Sequence, residues 1–163
     1  MTELGALRRI LLLFLIFLLQ TTWIQSLQIY GIIPNVVVLA LVLLTLAADS
    51  TEAILLAFFI GLLQDAYLPE NLGLNSLANV LVVMAVGFLR TSIVEDNVRV
   101  QVALVAAAVL MHDLIYFIGY SDIDIAEVPF FCFRYGVGSA IYTGFIALVV
   151  SYALLLRNRL LSS

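Results

Sequence analysis

The chain is 163 residues long, 64% hydrophobic and only 11% charged, with a mean hydropathy of +1.18. Such a composition excludes a soluble globular domain and leaves an integral membrane protein as the class that fits. The formal net charge is −4, and every basic residue is an arginine. Their placement, rather than the acidic balance, carries the information, and it points to a bilayer and not to nucleic acid.

A spanning helix needs about 20 mostly apolar residues at about 1.5 Å each. Six such segments are predicted, at about 9–28, 34–48, 51–68, 75–90, 99–119 and 134–156. Arg8 and Arg9 precede the first, which runs to Trp23 and Tyr30, residues suited to an interfacial belt. The run is long enough to span, and Gln20-Thr21-Thr22-Trp23 is a poor cleavage site, so it reads as a retained helix. Pro34 opens the second segment, where a missing N–H costs nothing. Asp49-Ser50-Thr51-Glu52 makes a tight turn, with Asp49 or Ser50 available to cap the third helix. Pro69 stops that helix. Gly73, Asn75 and Ser76 start the fourth, which closes at Arg90. The fifth runs from Arg99 to Gly119, and a longer loop, Tyr120 to Phe133, leads into the sixth.

Arg8, Arg9, Arg90, Arg99, Arg157 and Arg159 all fall on one side of these segments, and only Arg134 falls on the other. Cytoplasmic loops collect basic residues, so both termini are expected in the cytoplasm. The expected fold is a single all-α domain over 1–163, six transmembrane helices in one bundle. Stripes of small residues mark its packing seams: Ala53, Ala57 and Gly61 on the third helix, and Gly136, Ala140 and Gly144 on the sixth. In lipid, close backbone approach at small residues carries much of helix association.

Polar residues recur at one depth. Asp65 lies 13 residues from Glu52, and His112 lies 13 from Arg99, so each is about 20 Å from the arginine-rich boundary. Gln20 and Asn79, each 11 residues from an arginine, lie about 16 Å in. Asn35, Gln64, Asn75 and Asp113 fall near this layer or slightly beyond it. Ionisable groups inside a membrane are expensive and face the bundle interior. Two readings stay open: an interhelical hydrogen-bond network that fixes register, or the polar floor of an outward-facing cavity that binds a partner or ligand. Asp65 is the central member, and His112 is its expected partner because it shares a face with Ala108 and Tyr116.

Enzyme signatures are missing. The one histidine has no nucleophile in a recognisable setting, no HExxH or phosphate loop occurs, and Asp65 and Asp113 lack the flanks of a membrane aspartyl protease. Cys132 is the only cysteine, so neither an internal disulfide nor a thiolate metal cluster is possible. No cofactor, metal site or catalytic residue is expected. The acidic loop Ser121 to Phe133, with Asp122, Asp124, Glu127 and the aromatics Phe130, Phe131 and Phe133, suits either headgroup anchoring or docking.

Pro34-Asn35 opening the second helix, Gly61-Leu62-Leu63-Gln64-Asp65 closing the third and Leu72-Gly73-Leu74-Asn75-Ser76-Leu77 opening the fourth resemble the bacterial rod shape-determining MreD family. Many members carry a basic residue in the turn between helices two and three, where this chain has Asp49 and Glu52. The resemblance implies a non-enzymatic scaffold of the cell-elongation machinery in the bacterial cytoplasmic membrane. Its implied partners are the single-span protein MreC, RodA with its penicillin-binding transpeptidase, and indirectly the MreB filament. It also implies a fold similar to the S-components of energy-coupling-factor transporters. The alternative is therefore a small-molecule-binding component of a vitamin-type transporter, against which stands the absence of alanine from Ile10 to Leu19.

Overall fold

The computed structural model describes residues 2–67, 71–90 and 97–162, with side chains from 5–24, 26–67, 71–90 and 97–157. Pro69, expected to end the third helix, lies outside the described residues, as does most of the segment between Arg90 and Arg99. The fold is all-helical. Helix α1 spans Thr2–Thr22 and is followed by a 3₁₀ turn, Ile24–Leu27. Then come α2 (Val36–Ala47), α3 (Ser50–Asp65), α4 (Leu74–Leu89) and α5 (Val98–Gly119). A short helix α6 (Val128–Phe131) runs through a π-helical turn, Cys132–Gly136, into α7 (Val137–Ser162).

Two boundaries differ from the sequence reading for identifiable reasons. The first helix is shifted toward the N-terminus and ends at Thr22, where the backbone tightens into the 3₁₀ turn instead of continuing to residue 28. The last helical stretch starts near Val128 rather than Arg134, because Pro129 occupies a first-turn position that tolerates its missing N–H.

Among the described residues, three stretches are long and apolar enough to cross a membrane, Gly5–Thr22, Val98–Gly119 and Val128–Arg157. Helices α2, α3 and α4 have 12, 16 and 16 residues. At about 1.5 Å per residue they reach about 18 to 24 Å, short of a hydrocarbon core of about 30 Å.

Helix α2 lies at the centre because it is apolar all round. Its Val37 and Leu41 pack with Leu13 and Phe17 of α1, Ala53, Ala57 and Ile60 of α3, and Val83 of α4. Its Val38, Leu39, Val42 and Leu46 pack with Val82 and Val86 of α4, Val105, Ala108 and Val109 of α5, and Ala140 and Ala147 of α7. Gly144 lies against Val102 and Ala106, so the small stripe of α7 faces α5. The outward faces carry large apolar side chains, among them Leu11, Leu15, Phe59, Phe88, Ile141 and Phe145.

Connections put the starts of α2, α4 and α7 at one end of the bundle, with the ends of α1, α3 and α5. The opposite end holds most of the arginines. There Arg9 clasps Glu52 through two contacts, Nε to Oε1 at 2.7 Å and Nη2 to Oε2 at 2.6 Å. Arg90 Nη1 donates to the Ala48 carbonyl at 2.7 Å, where α2 ends and its carbonyls lack helical partners. The acidic turn between α2 and α3 is thus answered by arginines of α1 and α4.

Candidate functional site

The end opposite those arginines holds the polar residues, arranged around two aspartates. Asp65, at the last turn of α3, is 1% exposed. Its Oδ2 accepts from the N–H groups of Gly73 at 3.0 Å and Ser76 at 3.2 Å. Its Oδ1 accepts from the N–H and the side-chain amide of Asn75, both at 2.9 Å. The first N–H groups of a helix have no intrahelical acceptor and carry the positive end of its dipole. The N-cap of α4 is Gly73, at φ +101°, which has no side chain to supply that acceptor. A carboxylate from the preceding helix does so instead.

The same clasp draws in the neighbouring motif residues. Ser76 Oγ donates back to the Phe58 carbonyl at 2.9 Å, and Asn79 donates to Gln64 Oε1 at 2.8 Å. A Cβ on Gly61 would come within 2.5 Å of the Ser76 nitrogen and 2.9 Å of the Asn75 carbonyl carbon. Only glycine lets the α3 and α4 backbones touch there. Asn71, 7% exposed, accepts from the Ser121 N–H and hydroxyl at 3.4 and 3.3 Å, tying this connection to the one after α5.

The second group surrounds the start of α2. Gln20 donates to the Pro34 carbonyl at 3.1 Å and accepts from the Val36 N–H at 3.0 Å. Asn35 caps the helix by accepting from the Val38 N–H at 3.1 Å, while its own N–H donates to Thr143 of α7 at 2.9 Å. The Asn35 side-chain amide stands 3.4 Å from His112 Nδ1, and that nitrogen is 3.1 Å from Asp113 Oδ1. A nitrogen that accepts from Asn35 cannot also donate to Asp113, and the shorter contact to a carboxylate favours Nδ1–H directed at Asp113. The ring of His112 stacks on Tyr116, with centroids 6.4 Å apart and planes 7° apart.

Between these groups lies a cavity of about 380 Å³. Asn35, Asn75, His112, Asp113 and Ser139 line it with polar atoms, and Tyr116, Phe117 and Tyr135 form an aromatic wall. Gln20 and the backbone of 31–34 complete it. The π-helical turn Cys132–Gly136 passes along this wall and carries Tyr135. Phe131 packs between Phe117 and Tyr135, at 5.9 and 5.8 Å between centroids.

The expected layer therefore divides. Gln64, Asp65 and Asn79 join the α3–α4 clasp, Gln20, Asn35, His112 and Asp113 border the cavity, and Asn75 belongs to both. His112 is not the partner of Asp65, because the α4 N-terminus already supplies four donors. Among the described residues, Asn79 Oδ1, His112 Nε2 and Ser151 Oγ are buried without a partner. No group of three metal-ligating side chains converges among those residues.

Residues 2–156 match the family model described as rod shape-determining protein MreD. The chain belongs to the MreD family. It is accordingly a cell-shape-related membrane protein, which agrees with its long apolar helices. No curated protein and no solved structure matches the chain. The sequence features that resemble MreD, from Gly61 to Leu77, are the residues of the α3–α4 clasp. Sequence reasoning did not single out Thr143, Tyr135 or Ser139 as site residues, because each reads as one more small or aromatic residue on an apolar helix. The Gly-x-Asn-Ser start of α4, eight residues after a buried aspartate, is the signal that marks the clasp.

Proposed function

We propose that this MreD-family chain is a non-enzymatic scaffold of the bacterial cell-elongation complex. In this reading it sits in the cytoplasmic membrane as one six-helix domain with both termini in the cytoplasm. It binds a single-span MreC-like protein, works beside RodA and its penicillin-binding transpeptidase, and couples indirectly to MreB. The arginines gathered at one end support that orientation. The observation that carries the reading is the use of polar groups inside the bundle: buried Asp65 and half-buried Gln20, Asn35, Gln64 and Asn75 all bond to other parts of the chain, holding helices in register. A rigid bundle with large apolar side chains outward suits helix-to-helix docking more than chemistry.

One observation favours a second reading, a small-molecule-binding component of a vitamin-type transporter built like an S-component. That observation is the cavity beside Asn35, Asn75 and Asp113. Native mass spectrometry of the protein purified gently from its own membranes separates the two. A stoichiometric single-span partner together with elongation enzymes is expected. An ATPase module in their place overturns the scaffold reading.

A further inference from the structure

The cavity differs from the clasp in one electrostatic respect. Asp113 has a single hydrogen-bond partner among the described residues, His112 Nδ1, made through Oδ1. Its Oδ2 lies beside Gly136, where an added Cβ would sit 3.8 Å away, so the π-helical turn passes close without supplying a donor. No lysine or arginine lines the cavity. An ionisable side chain at membrane depth normally faces a partner or a hydrated cavity, and among the described residues the one group within ion-pair distance of Asp113 is its neighbour His112.

Two helix N-termini reach the cavity, and their dipoles would ordinarily attract an anion. Both already have internal acceptors. The N–H groups of Gly73, Asn75 and Ser76 are bound to the Asp65 carboxylate, and those of Val36 and Val38 donate to Gln20 and Asn35. Besides the amides of Gln20, Asn35 and Asn75, the Ser139 hydroxyl and the His112 ring, the cavity is lined by one carboxylate and the rings of Tyr116, Phe117 and Tyr135. Aromatic faces attract cations through their quadrupole, most strongly when water is excluded. Tyr135 already holds one cation, with the Arg134 guanidinium carbon 5.5 Å from its centroid. The connection leading to this wall carries Asp122, Asp124 and Glu127, all exposed, so the approach is acidic as well.

We infer that this cavity is a binding site for an organic ammonium group, held by Asp113 and walled by Tyr116, Phe117 and Tyr135. The inference is independent of the scaffold reading, since a scaffold and a transport component could each use such a site. The ammonium has two possible sources, a free amine or the headgroup of an aminophospholipid.

The test uses the full chain in phosphatidylglycerol nanodiscs and calorimetric titration with three isosteric probes: benzylammonium, benzyl alcohol and benzoate. Benzylammonium is expected to bind at least tenfold more tightly than the alcohol, and benzoate not at all. Asp113→Asn, which keeps an oxygen toward His112, is expected to abolish the preference for the amine over the alcohol. Tyr135→Leu should weaken the amine several-fold. Asp49→Asn, exposed at the opposite end of the bundle, should change the affinity less than twofold. Repeating the titration with phosphatidylethanolamine in the nanodisc separates the sources: competition identifies the headgroup, and an unchanged affinity identifies a free amine. Equal binding of all three probes, no binding of any, or an amine preference that survives Asp113→Asn in a protein with unchanged helicity would overturn the inference.

Discussion

Asp65 and Asp113 lie at similar depth in one helix bundle, and the chain treats them in opposite ways. Asp65 accepts four hydrogen bonds, three from the backbone of α4 and one from Asn75, and is sealed from water. Asp113 has one hydrogen-bond partner among the described residues, its sequence neighbour, and opens on a cavity. The difference follows from position relative to helix ends. Asp65 sits at the close of one helix, opposite the unsatisfied N–H groups that begin the next. Asp113 sits within α5, where the nearby backbone groups already bond along the helix. A carboxylate at a helix start is part of the fold; one in mid-helix is left for something else to meet.

The sharpest way to break the closed region is at Gly61. Gly61→Ala places a methyl group into the Ser76 backbone, which cannot give way without parting α3 and α4. The separation also stretches the Asp65 hydrogen bonds, so the loss should exceed about 3 kcal/mol, more than overpacking alone. Reversible unfolding in mixed micelles checks this. Gly138 is the control, because its added Cβ would meet only the tip and stem of the Ile32 side chain, 2.5 to 3.1 Å away, which can rotate. A Gly138→Ala penalty as large as that of Gly61→Ala would show that side-chain crowding, not backbone contact, governs both sites.

Next in size comes the aspartate itself. Asp65→Ala leaves the donors of Gly73, Asn75 and Ser76 buried and unpaired. Each such group costs about 1–3 kcal/mol when it finds no substitute, so a loss on the order of 3 kcal/mol is expected. Asp65→Asn should recover part of it, because one oxygen remains an acceptor. A double-mutant cycle with Asn75→Ala should show coupling above about 0.5 kcal/mol. Additive losses would sink the clasp. A smaller effect belongs to the cap of α2: Gln20→Leu removes an acceptor from the Val36 N–H and a donor from the Pro34 carbonyl, and should cost about 1 kcal/mol in the same titration.

How much of this was legible in the sequence follows the same division. The apolar runs mark the helices, and of the small residues Gly61 lies against the start of α4 and Gly144 against Val102 and Ala106 of α5. The depth count brought the polar residues to one end. Counting along helices could not reveal partners, since it assigns each residue a height and leaves the angle between helices open. That is why His112 was paired with Asp65. It also overlooked Thr143, whose hydroxyl reads as a small packing residue until α2 is seen to start against it. The second helix, expected to open at Pro34, begins two residues later at Val36, because Asn35 caps it by accepting from the Val38 N–H.

Asp113→Asn carries the smallest stability effect and the most information. Its one hydrogen bond, to His112 Nδ1, survives in the variant because the amide oxygen can accept it. The change alters a half-buried carboxylate whose one hydrogen-bond partner among the described residues is retained, so little stabilisation is lost. Unfolding free energy should therefore change by less than about 1 kcal/mol, or rise. Asp65→Asn, an identical change of atoms at a similar depth, should be the more damaging of the two in the same assay. If both variants lose equally, Asp113 has structural donors like those of Asp65, and its open side is closed in the membrane. If only Asp65→Asn destabilises, the fold does not need the second carboxylate, and its presence in the cavity wall has to be explained by what enters there.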